Sequence, residues 1–111
     1  MAEQRLVTRD YDIYIYLNPE TGKVETIVSY GLFGSSEYDP EAARWVALGT
    51  EDTWRIRDLG TKCDMYKVDW DNDSDFDIEG KNVALKKFSD GTLDANYLKK
   101  NTTLVREALS E

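Results

Sequence analysis

Tyr11-Asp12-Ile13-Tyr14-Ile15-Tyr16-Leu17-Asn18-Pro19-Glu20-Thr21-Gly22-Lys23-Val24 decides the fold. From Leu6 to Leu17 the residues Tyr11, Ile13, Ile15 and Leu17 share one parity and Tyr14 and Tyr16 the other. β-Branched and aromatic side chains in this alternation mark a central strand. Asn18 to Gly22 supplies the turn, with Pro19 fixing φ, and Val24 to Phe33 returns as the second arm of a hairpin.

Downstream of this hairpin the local signals are mixed. Gly34-Ser35-Ser36-Glu37-Tyr38 reads as a loop. Asp39-Pro40-Glu41 has the chemistry of a helix start: an Asp cap, Pro in the first position and an acid in the first turn. That helix would carry Ala42, Ala43, Trp45, Val46 and Leu48 and stop at Gly49. In Thr50 to Gly60 the run Thr53-Trp54-Arg55-Ile56-Arg57 alternates like a strand, while Thr50 with Glu51 and Asp52 is compatible with a helix cap; the strand is favoured. Val83, Leu85 and Phe88 suggest a short strand before the Ser89-Asp90-Gly91 turn. Asp94 caps a closing amphipathic helix, with Leu93 stapled onto Leu98 and a stripe of Tyr97, Leu98, Leu104, Val105, Ala108 and Leu109.

The expected architecture is α+β: an antiparallel sheet of four to five strands packed by one short helix and a C-terminal amphipathic helix. The 111 residues suffice for one core, so a single domain spanning 1–111 is expected. Forty-one per cent hydrophobic residues, with three Trp, seven Tyr and three Phe, favour a packed chain despite a formal charge of −8. No apolar run approaches the roughly 20 residues of a membrane span, and the N-terminal residues lack the apolar core of a secretory signal, so a cytoplasmic location is expected. One cysteine, Cys63, excludes an internal disulfide and reads as structural.

The loudest chemical signal is Val68-Asp69-Trp70-Asp71-Asn72-Asp73-Ser74-Asp75-Phe76-Asp77-Ile78-Glu79. Here Asp69, Asp71, Asp73, Asp75, Asp77 and Glu79 occupy every second position, and alternate side chains of an extended chain lie about 6.6 Å apart on one face. From Asp64 to Gly80 there are seven acids and one base, a net of −6, against −2 for the rest of the chain. Tyr66, Val68, Trp70, Phe76 and Ile78 alternate with the acids, which predicts a second hairpin with a five-residue loop, Asp71 to Asp75. It would pair Val68 with Ile78 and Trp70 with Phe76 on the core face, and set Lys67 opposite Glu79.

Asp69 opposite Asp77 would destabilise such a hairpin by about 0.2–1 kcal/mol, so a compensating partner is sought. A weak calcium site on Asp71, Asp73 and Asp75 matches the first three spacings of an EF-hand loop. Phe76 stands where that loop needs glycine, however, and Asn82 where it needs a bidentate glutamate. Successive phosphates of a DNA strand lie roughly 6–7 Å apart, close to the carboxylate spacing, so a basic nucleic-acid-binding groove could accept the edge in place of DNA or RNA. Trp70 and Phe76 would then supply apolar anchors.

The expected function is therefore that of a small acidic interaction protein. Its partner would be a basic nucleic-acid-binding enzyme or nuclease, which it would inhibit by mimicking the phosphate backbone. Composition and size are analogous to phage and mobile-element inhibitors of restriction, CRISPR or repair enzymes, and to immunity proteins that block nuclease toxins; no motif assigns the chain to one family. A structural or assembly subunit with a solvated acidic hairpin is the alternative. Direct nucleic-acid binding is disfavoured by charge sign. Catalysis is not expected, because the chain has no histidine, no glycine-rich phosphate loop and no nucleophile-elbow motif, and no cofactor is implied.

Overall fold

The computed structural model describes residues 11–31, 34–68 and 78–109. In chain order the elements are β1 (Tyr11–Asn18), β2 (Lys23–Gly31), β3 (Gly34–Asp39), β4 (Arg44–Ala47), α1 (Thr50–Lys62), β5 (Asp64–Val68), α2 (Ile78–Asp90), α3 (Ala95–Asn101) and β6 (Thr102–Arg106). The strands form one antiparallel sheet in the order β4-β3-β2-β1-β5-β6. The α+β class holds, with six strands among the described residues where four to five were expected. No helix among the described residues is long and apolar enough to cross a membrane.

The first hairpin forms as its pattern predicts. Asn18 Oδ1 accepts the N–H groups of Glu20 and Thr21, closing the turn. The two parities of β1 enter two different cores. Ile13, Ile15 and Leu17 join Ile27, Tyr66 and Val68 beneath Ala84 and Leu85 of α2, with Leu98 of α3 and Leu93 just before it. Tyr16 and Val28, on the opposite face, pack with Ile56 of α1 and with Cys63. A β-bulge between Tyr16 and Leu17 sets Tyr16 opposite Thr26 and Leu17 opposite Val24, leaving Glu25 as the extra residue. Without it Glu25 would oppose Leu17 on the apolar face; with it Val24 packs there instead.

Five expectations are corrected. The Asp39-Pro40-Glu41 helix is a hairpin turn between β3 and β4. Asp39 Oδ1 accepts from Glu41 and Ala42 N–H, the same bonds an N-cap makes, but Ala43 at φ 56° reverses the chain. Arg44–Ala47 then pairs with β3, and Tyr38 meets Trp45 edge-on with ring centroids 5.3 Å apart. The expected loop at Gly34–Tyr38 is accordingly a strand.

The strand favoured over Thr50–Gly60 is helix α1. Ile56, Leu59, Gly60 and Cys63 fall at i, i+3, i+4 and i+7 toward the sheet, while Trp54 is 59 % exposed beneath the Arg57 guanidinium. Asp52 accepts from Gly49 N–H at 3.0 Å and so fixes the helix start. Arg55 pairs with Glu37 of β3, whose carboxylate also accepts the hydroxyl of buried Thr26, and this polar tie docks α1 on the sheet.

Val83, Leu85 and Phe88 belong to helix α2. It ends with Gly91 at φ 77°, Gly91 N–H bonding to Phe88 O and Thr92 N–H to Lys87 O. The C-terminal helix starts as expected: Asp94 accepts from Tyr97 N–H, and Leu93 and Leu98 are both buried. It is α3 and stops at Asn101, because Thr102 and the residues after it pair with β5 as edge strand β6. Leu104, Val105 and Leu109, expected on one helical stripe, are exposed.

Candidate functional site

Asp69, Trp70, Asp71, Asp73, Asp75, Phe76 and Asp77 lie outside the described residues, as does the cation site considered on Asp71, Asp73 and Asp75. Among the described residues no group of three metal-ligating side chains comes together. The structure does overturn the second arm of the acidic hairpin. Ile78 and Glu79 open helix α2, and β5 is instead flanked by β1 and β6, with Val68 opposite Thr102 and Lys67 between Tyr14 and Thr103. Both edges of β5 are thus already hydrogen-bonded, which leaves no ladder for a returning strand.

The stretch therefore connects two elements fixed in one core, β5 through Val68 and α2 through Ala84 and Leu85. It leaves the sheet at the end where β1, α1 and β6 begin. Asp12, Glu51 and Asp52 stand at these element starts. Lys67, the one base in the stretch, lies 3.9 Å from Asp12 of β1.

A second arrangement had no counterpart in the sequence expectations. On the sheet face beneath α1, Tyr14 and Tyr16 of β1, Tyr30 of β2 and Met65 of β5 form the floor of a groove of about 460 Å³. Its walls come from Thr53, Ile56 and Arg57 of α1 and from Arg106 of β6. Tyr14 and Tyr30 rings are 5.6 Å apart and tilted 56°, and the Tyr16 and Tyr30 hydroxyls lie 3.2 Å apart. Burial, then the Tyr30 hydroxyl, raises the Tyr16 phenol well above its ordinary pKa, so it remains a protonated donor at neutral pH.

Two backbone devices bring Arg106 here. A bulge in the β5–β6 ladder sets Met65 opposite Arg106 while Tyr66 opposes Leu104, so Val105 is the extra residue and Arg106 is turned to the tyrosine face. Gly60 lets the guanidinium reach the helix: Arg106 Nη2 donates to Gly60 O at 3.1 Å, and a Cβ at residue 60 would lie 2.6 Å from that nitrogen. Gly60 O is one of the last carbonyls of α1, which have no partner inside the helix, so the arginine also closes the helix end. The even-parity tyrosines of β1 were visible in the sequence. Arg106 was not, because its side depends on a bulge and its residue had been placed on a helix.

A further groove of about 430 Å³ lies between the β1–β2 turn and the α2–α3 link, lined by Lys23, Phe88 and Asp94 among others. Its opposed charges define no single ligand sign. Cys63 is fully buried under α1, and burial, with Glu25 and Asp64, pushes its thiol up to about 11, so it stays protonated and unreactive at neutral pH. No family model, curated protein or solved structure matches this chain.

Proposed function

We propose that the chain is a small acidic interaction protein whose Asp64–Gly80 region engages a basic surface of a nucleic-acid-processing protein, acting in place of a phosphate backbone. One observation carries this reading. Seven acids and one base fall in a stretch whose ends are held in the core by β5 and α2, while the rest of the chain is nearly balanced. Charge gathered on one part of a surface steers a partner of opposite sign, whereas dispersed charge serves only solubility. Lys67, the base within the stretch, is set toward Asp12 and so is offset by a carboxylate outside it.

Inhibition of a nuclease or polymerase, by the route of an anti-defence or immunity protein, is the biological form we assign to this binding. The test is capture from a bacterial lysate at low salt, with duplex DNA used to displace the captured protein. The wild-type chain should retain a DNA-binding enzyme that both DNA and high salt release. A variant with Asp73→Asn, Asp75→Asn and Asp77→Asn should not retain it. Equal capture by the variant removes the acidic stretch from the mechanism.

A further inference from the structure

We propose that the groove between α1 and the sheet is a binding site for a small organic anion, a carboxylate or phosphate carried on a flat ring. The site is built from residues outside 69–77 and does not depend on the function proposed above.

The lining side chains state the ligand's sign. Although the chain has 22 acids and 14 Lys and Arg, the described residues line this groove with two arginines and no carboxylate. Among the described residues neither Arg57 nor Arg106 lies within ion-pair distance of an acid: Arg57 stacks on Trp54 at 4.9 Å, and Arg106 bonds to a backbone carbonyl. That bond uses one of the five N–H groups of Arg106. Arg57 and Gly60 are three residues apart, about 4.5 Å of helix rise, so the two cations flank one wall. The Tyr14 phenol, and whichever of the paired Tyr16 and Tyr30 phenols does not donate to the other, add two further O–H donors, while the Thr53 hydroxyl is taken by Gly49 O.

The ligand's body follows from the floor. Tilted tyrosine rings beside Met65 and Ile56 present ring faces, ring edges and a polarizable thioether, which suit a flat apolar group. The volume falls within the range of small-molecule sites. Net negative charge on the chain opposes an incoming anion, but at physiological salt charges beyond roughly 8 Å are screened, so the adjacent guanidiniums set the local sign.

Titration calorimetry and tyrosine ring NMR with four probes test the site. Benzoate and phenyl phosphate carry both ring and charge, benzamide the ring alone, and acetate the charge alone. Saturable binding is expected for at least one of the ring-bearing anions, with benzamide and acetate at least about tenfold weaker. If phenyl phosphate binds tighter than benzoate the natural anion is a phosphate; the reverse order assigns a carboxylate. Arg57→Gln, at an exposed position that leaves the fold intact, and Arg106→Gln should each weaken the better probe about tenfold. The proposal is overturned if neither ring-bearing anion saturates below about 10 mM, if benzamide binds equally well, or if Arg57→Gln leaves affinity unchanged.

Discussion

Replacing Gly60 by alanine separates the stability of α1 from the placement of Arg106. The new Cβ would stand 2.6 Å from Arg106 Nη2 and 3.4 Å from the Tyr16 ring. The second distance is ordinary contact; the first is not, and the group that must move is the end of a flexible, exposed side chain. Within a helix alanine is favoured over glycine by about 0.5–1 kcal/mol. Against this stands the loss of the hydrogen bond from Arg106 to Gly60 O, worth about 0.5–1.5 kcal/mol. The two nearly cancel, so Gly60→Ala should change unfolding free energy by less than about 1 kcal/mol in urea, with an unchanged denaturant slope. Affinity for the better ring-bearing anion should nevertheless fall about tenfold, because the guanidinium is displaced from the groove. A destabilisation above about 2 kcal/mol would show that Tyr16, buried in the second core, is what the methyl strikes. Wild-type stability combined with wild-type anion affinity would refute the role given to residue 60.

Two further substitutions test the packing and the buried thiol. Leu98 is fully buried between α3 and the sheet, so Leu98→Ala should cost about 3 kcal/mol in urea unfolding. Leu109→Ala, at a position 62 % exposed, should stay within about 0.5 kcal/mol; parity between the two would restore the continuous C-terminal helix that the sequence suggested. Burial, with Glu25 and Asp64, pushes the Cys63 thiol from its ordinary 9.0 up to about 11 in the folded chain, so the folded state binds its proton more tightly. Its contribution to stability is complete below pH 9 and is lost as pH rises from 9 through 11. Melting temperature should therefore fall over that window, and Cys63→Ala should delay the onset of the fall toward the range where Tyr16 and Tyr66 titrate. An identical profile in the variant would remove the thiol from the alkaline transition.

The legible parts of the chain are those where a local pattern is long or its chemistry unambiguous. Eight residues of alternation in β1, closed by the Asn18 turn, leave one register compatible with two apolar faces. Asp94 specifies a helix start through a hydrogen bond from Tyr97 N–H three residues on, and Leu93 through packing with Leu98 five residues on. Where signals are short they are degenerate. Asp39 makes the same pair of hydrogen bonds in a hairpin turn that it would make as a helix cap, and Thr53 to Arg57 is too brief to separate a period of 2 from one of 3.6. The acidic alternation suggested a strand through Ile78, yet β5 has both of its edges filled by β1 and β6, residues distant in sequence.

By itself the sequence determined the central hairpin, the start of α3, where a cap and a staple coincide, and the concentration of carboxylates between Asp64 and Gly80. These depend on neighbours within a few residues or on charge, which needs no fold to be counted. Tertiary structure alone decided that Thr50–Lys62 is a helix, that Thr102–Arg106 is an edge strand, and that Arg106 meets three tyrosines beneath α1. Each of those outcomes turns on a partner many residues away, and the last also on a bulge that reverses which side of the sheet a side chain takes.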